Sequence, residues 1–247
     1  MSEVKIDNPA QRLLEILEKG QGYSTTRNCR EVWIAILQIR ENEEHHLLSR
    51  LASVMALPGR IIQVREDNFA TIRGRSNHWK TRVEQAFFRQ NLDSVWETFW
   101  SNIDKQTLSE IGLLSDVFET RGAHAGMNEG EVENLLARIA ELRSEIRNSE
   151  LSSSVKTLLL RQLAKIRDAL ESYSISGVEP VMDAVQSTLG LAVLHPDYRQ
   201  EISKNAASQF GEKISDLLSD VANVVTIAGA LPALTVAVNT ALNLLSK

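Results

Sequence analysis

The chain has 247 residues, of which 43% are hydrophobic and 24% charged, and it carries a formal net charge of -5. That balance belongs to a chain that folds around a buried core, and the negative sum argues against a general polyanion binder. One cysteine, Cys29, permits no intramolecular disulfide and no cysteine-rich zinc site, which excludes a disulfide-stapled secreted scaffold.

The opening residues MSEVKIDNPAQ are polar and mixed in charge. They have neither the basic start and apolar stretch of a secretory signal nor the arginine- and serine-rich, acid-poor pattern of an organellar presequence, so a cytoplasmic location is expected. Asn8-Pro9 then supplies a cap and a first-turn proline, apolar residues follow at helical spacing, and Gly20 is read as the stop. Thr25 or Thr26 is the expected cap of a second helix through Val32, Trp33, Ile36 and Leu37. A third is expected from about Asn42 to Ala56, ended by Leu57-Pro58-Gly59.

Between Arg60 and Arg75, two apolar runs flank Glu66-Asp67-Asn68; a β-hairpin and a pair of short helices both fit, and helix is preferred. Helical spacing returns through Trp79, Val83 and Phe87. Asp93 is positioned to cap a helix carrying Val95, Trp96, Phe99 and Trp100, and another is expected from about Thr107 to Thr120, closed by Arg121-Gly122. Trp96 and Trp100, one turn apart, read as a core stripe.

From Asn128, one face collects Val132, Leu135, Leu136, Ile139, Leu142 and Ile146. After the serine-rich break from Asn148 to Ser154, a second helix carries Leu159, Leu163, Ile166, Leu170 and Tyr173. The pair is expected to form a long antiparallel helical hairpin. Ser176-Gly177 precedes a helix through Val181, Val185 and Leu189 that ends before His195-Pro196, and Asp197 opens the last region. The expected fold is an all-α, multi-helix bundle with an apolar C-terminal helical segment. Residues 1–122 form an N-terminal helical cluster and 123–247 the hairpin and C-terminal helices, in one continuous body, since no Pro/Gly/Ser-rich linker separates them.

The C-terminus is the clearest anomaly, because no charged residue occurs from Val221 to Ser246. As a helix at ~1.5 Å per residue this stretch would reach about 39 Å, long enough to cross a bilayer core. Its strongly apolar part, Val224 to Val238, would reach only about 22 Å against a core of ~30 Å, and it contains Gly229 and Pro232. The residues concerned are Val224, Val225, Ile227, Leu231, Leu234, Val236 and Val238. Past the proline, Thr235, Asn239, Asn243 and Ser246 draw a polar stripe down one face. Such a segment can pack in a core, line a pore or lie on a membrane.

Arg40-Glu41-Asn42-Glu43-Glu44-His45 places a histidine five positions after an arginine near a helix start. The pattern resembles the arginine–histidine motif of HEPN ribonucleases, all-helical proteins in which these two residues from two protomers act on RNA phosphodiesters. The resemblance implies a catalytic role for Arg40 and His45 across a dimer. Glu41 stands where that family usually has a polar residue, inside an acidic run that repels phosphate. Glu41 and His45 are also one turn apart, but His78, His124 and His195 are isolated, so neither a metal nor any other cofactor is expected.

A basic stretch, with Arg60, Arg65, Arg73, Arg75, Lys80, Arg82 and Arg89 around Trp79, Phe87 and Phe88, is a candidate nucleic-acid patch centred on Arg73, Arg75, Lys80 and Arg82. A solvated face paired with acidic helices is the preferred reading, so nucleic acid is not the expected partner. The leading functional expectation is a non-enzymatic interaction protein with a protein partner. In its sharper form it is a bacterial toxin or antiviral-defence effector, able to oligomerise, whose apolar C-terminal segment is sheltered at rest and reaches a membrane when activated.

Overall fold

The computed structural model describes residues 7–69, 76–120, 127, 129–194 and 208–227. The fold is all-α: among the described residues every regular element is helical, and the extended backbone contributes only one isolated antiparallel bridge, Asn28 to Val95. The chain divides into two compact units. One comprises residues 1–123 together with 174–176, the other 124–173 and 177–247.

In the N-terminal unit, α1 (Pro9–Gln21) begins as expected, with the Asn8 side chain accepting the Gln11 N–H at 3.0 Å. It runs past Gly20, however, and is capped by Gly22. Gly20 is a packing glycine: a Cβ there would sit 3.0 Å from Cζ2 of Trp96, and its carbonyl accepts the Trp96 indole N–H at 3.1 Å. Asn28, not Thr25 or Thr26, caps α2 (Cys29–Ile36), accepting the Glu31 N–H at 3.2 Å. Pairing sets this register, since Cys29 N–H donates to Ser94 and Trp96 N–H to Arg27, which holds Asn28 extended at the helix start.

A 3-10 turn, Glu41–His46, leads into α3 (Leu47–Asn68), which continues straight through Leu57-Pro58-Gly59. Proline inside a helix forfeits one backbone bond and crowds the preceding turn. Here Leu51, Val54, Leu57, Pro58 and Ile61 all lie on one buried face, and their burial outweighs that penalty. Arg60 to Asn68 is therefore helical. Helix α4 (His78–Arg89) follows. Next comes a single turn, α5 (Glu97–Trp100), which Asp93 does not cap; that carboxylate instead pairs with Arg30 at 3.0 Å. Asp104 caps α6 (Lys105–Glu119) through the Thr107 N–H at 2.8 Å. The core is aromatic: Trp33 meets Trp96 and Phe99 edge-on at 5.2 and 5.0 Å between ring centres, and Phe87 stacks on it at 5.9 Å.

In the C-terminal unit, α7 (Glu129–Asn148) and α8 (Ser153–Glu171) pack together across a short connection in which Ser152 caps α8. A short turn, α9 (Tyr173–Ser176), whose residues 174–176 belong to the N-terminal unit, then leads to α10 (Glu179–Leu194), which lies against α8; α11 (Ser208–Ile227) lies against both α7 and α10. The contacts thus close a ring of four helices around an aliphatic core. Leu135, Ile139, Leu142 and Ile146 of α7 meet Leu159, Leu163 and Ile166 of α8, with Val181 and Val185 of α10 and Leu217 and Val221 of α11. His195-Pro196, Asp197 and Arg121-Gly122 lie outside the described residues.

Candidate functional site

Arg40 and His45 share one short turn. The chain leaves α2 through Gln38, whose φ of 52° is the left-handed conformation that a side chain disfavours, then extends at Arg40 and winds into the 3-10 turn. Arg50 steadies this exit by donating to the Leu37 carbonyl at 2.9 Å. Arg40 and His45 are both exposed, and the His45 ring lies against that of His46 at 4.1 Å. The turn therefore presents one guanidinium and one imidazole to solvent, enough to hold a phosphate and carry a proton if a second pair faces them. Among the described residues no group of three metal-ligating side chains gathers here or elsewhere.

The basic stretch is mostly answered by its neighbours. Lys80 pairs with Glu84 at 2.5 Å, Arg82 faces Asp104 at 3.4 Å, and Arg60 donates to the Ser176 carbonyl at 2.5 Å. Trp79 and Phe87 belong to the core, whereas Phe88 is 90% exposed. Arg73 and Arg75 lie outside the described residues. Sequence reading missed the polar array that joins α4 to α6. His78 Nε2 lies 2.9 Å from Asp104, and Glu110 accepts the Trp79 N–H at 3.1 Å, answering an orphan donor of α4. Burial raises both carboxyls. Bonds from Thr107 and His78 to Asp104, and from Gln106, Ser76 and Trp79 to Glu110, outweigh that effect and hold each below its ordinary value. Cys29 behaves oppositely: burial pushes its thiol up to about 11, which leaves it inert.

The apolar C-terminal segment enters the described residues only at its start. Val221 is fully buried in the four-helix core, and α11 continues through Val224, Val225 and Ile227. Leu231, Leu234, Val236 and Val238, with the stripe Thr235, Asn239 and Asn243, lie outside the described residues. Also in this unit, a cleft between α7 and α11 is lined by Arg138, Glu141, Asp216 and the ion pair Lys213–Glu145.

A second surface feature was also not foreseen. On α3 the solvent side carries Leu48, Ala52, Met55, Ala56 and Gly59, with Leu48 64% and Met55 48% exposed and open space beside Gly59. No charge falls on that strip, and residues 51–59 are uncharged altogether. The element from Glu43 to Asn68 is the one helix among the described residues long and apolar enough, by length and composition, to cross a membrane. Its opposite face is buried in the N-terminal core, as in a core helix. The uncharged run from Leu51 to Gly59 was the available signal, but its last three residues, Leu57-Pro58-Gly59, were read as a helix stop. No protein-family model matches this chain, and neither a curated protein nor a solved structure does.

Proposed function

We propose that this chain is a non-enzymatic helical interaction protein, and in sharper form an effector of the toxin or antiviral-defence kind. Its apolar C-terminal segment is sheltered at rest and acts on a membrane once released. A long antiparallel hairpin of α7 and α8 would be the frame that carries that segment. The observation that supports the reading is the uncharged solvent face of α3: Leu48 and Met55 stand in water on a strip with no charge, the mark of a surface that a partner covers. The charge-free run from Val221 to Ser246 is the segment that would act on the membrane.

The test is liposome flotation and dye release with the full-length protein beside a chain ending at Ile227, which keeps all of α11. Flotation or release by the full-length protein alone supports membrane action. A soluble full-length protein beside an aggregating shorter one assigns the segment to core packing and ends the membrane reading. The rival is a HEPN-like ribonuclease using Arg40 and His45 across a dimer, favoured by the exposure of both groups on one turn. His45→Ala abolishes RNA cleavage on that reading and leaves partner or membrane binding unchanged on the first.

A further inference from the structure

The charges along α3 are sorted by face. Its three arginines turn toward the fold: Arg50 donates to the Leu37 carbonyl at 2.9 Å, Arg60 to the Ser176 carbonyl at 2.5 Å, and the buried Arg65 to the Asn77 side-chain oxygen at 3.5 Å. The acids at its two ends turn outward. Glu66 and Asp67 are exposed in its last turn, Glu44 is exposed just before its first turn, and Glu43 is half-buried beside Glu44. Among the described residues none of these four carboxylates makes an ion pair. Arg40, exposed ahead of the first pair, offsets part of its charge.

Between the acidic ends runs the uncharged strip. Leu48, Ala52, Met55 and Gly59 follow at spacings of four, three and four, which keeps them in one line along the helix. Their sizes alternate. Leu48 and Met55 stand as knobs, Ala52 and Gly59 leave hollows, and a Cβ added to Gly59 would meet nothing within 4 Å. At ~1.5 Å per residue the line is about 17 Å long, three turns of helix.

Knobs and hollows in such a line receive the side chains of a second helix. The acidic ends decide which helix. Both ends repel lipid headgroup phosphates and nucleic acid. A second copy of α3 is repelled too: laid antiparallel it brings Glu66 and Asp67 toward Glu43 and Glu44, and laid parallel it sets each pair against itself. We propose that the solvent face of α3 docks a partner helix with an apolar middle of about three turns and lysine or arginine at both ends, a choice of partner that rests on reading this face as a covered surface. One helix face is smaller than the ~1,200 Å² at which stable interfaces begin, so the complex is weak and reversible, and salt loosens it by screening the end charges.

The test is fluorescence anisotropy of two labelled helical peptides titrated with the full-length protein. Both have the same middle of leucine and alanine; one carries two lysines at each end, the other two glutamates. The lysine-ended peptide binds saturably, roughly 10-fold tighter than the other at low salt. Ala52→Gln fills a hollow at an exposed position with a good helix former and weakens that binding roughly 10-fold. Glu66→Lys with Asp67→Lys weakens it by a similar factor and tightens the glutamate-ended peptide; unchanged thermal unfolding shows that both variants are folded. Equal binding of the two peptides, still lost in Ala52→Gln, keeps a partner surface on α3 and overturns this choice of partner. Binding of neither peptide, or binding that Ala52→Gln leaves unchanged, overturns the docking site itself. Sedimentation and flotation with phosphatidylcholine–phosphatidylserine vesicles complete the set: self-association or vesicle binding that Ala52→Gln removes gives the face to a second copy or to lipid, and overturns the proposal as well.

Discussion

The two units bury their cores by different means. The N-terminal unit centres on rings whose polar edges are tied down: Trp33 donates to Gln90 at 2.8 Å and Trp96 to the Gly20 carbonyl at 3.1 Å. The C-terminal unit stacks Leu, Ile and Val from four helices, and its ion pairs, Lys213–Glu145 among them, sit at the rim. A bonded indole fixes one orientation, so an aromatic core specifies a single arrangement. Aliphatic layers of similar volume tolerate substitution and small shifts before they lose stability. The N-terminal unit is thus built to hold geometry, and the C-terminal unit is built on repeated apolar spacing.

All four tryptophans lie in the N-terminal unit, so their fluorescence reports on it. Trp96→Ala should have the largest effect, about 3–5 kcal/mol, because it removes a fully buried ring together with its hydrogen bond to the Gly20 carbonyl. Urea unfolding followed by fluorescence measures it, and a loss below about 1 kcal/mol would break the contrast. Leu163→Ala, in the aliphatic core, should cost about 2–4 kcal/mol by far-UV circular dichroism, the lower end marking a core that closes over the gap. Gly20→Ala sharpens the comparison further. Its gain of about 1 kcal/mol in helix propensity is exceeded by the 3.0 Å approach to Trp96, for a net loss of about 1 kcal/mol.

Asp104→Asn keeps a capping side chain and removes the charge, so it isolates the α4–α6 array. The Asp104 carboxyl is held below its ordinary value of 3.8, so its charge stabilises the fold above that pH, and the contribution is lost as pH falls through the lower folded value. The variant should therefore be less stable than wild type at neutral pH and converge with it once pH has fallen well below the ordinary aspartate value; acid titration by circular dichroism reads the difference. Lys213→Ala should show the smallest change, under about 1 kcal/mol, since Lys213 is half exposed and its pair with Glu145 is screened.

Most helices were legible because burial on one face imposes a 3.6-residue period, as from Leu135 to Ile146. What failed was local punctuation under tertiary control. Pro58 did not end α3, because its buried neighbours Leu51, Val54, Leu57 and Ile61 hold that helix together. Gly20 did not end α1, because its missing side chain makes room for Trp96. Asn28 displaced Thr25 and Thr26 as a cap because backbone pairing with residues 94–96 set the register. At the candidate sites, the spacing of Arg40 and His45 was readable, but the array of His78, Asp104 and Glu110 was not: which carboxylate faces which donor depends on which helices meet, and no local pattern encodes that.

Residues 174–176 belong to the N-terminal unit although fifty residues of the other unit precede them. Ile175 is buried in the N-terminal core, its carbonyl accepts from Arg12 at 2.9 Å, and Arg60 bonds to Ser176. On the ribosome, the N-terminal unit therefore emerges without its last core residue. At an elongation rate on the order of 5–20 residues per second, Arg12 and Arg60 wait several seconds for their acceptors. A nascent chain stalled before residue 174 should consequently be more open to protease around α1 and α3 than one stalled well after residue 176.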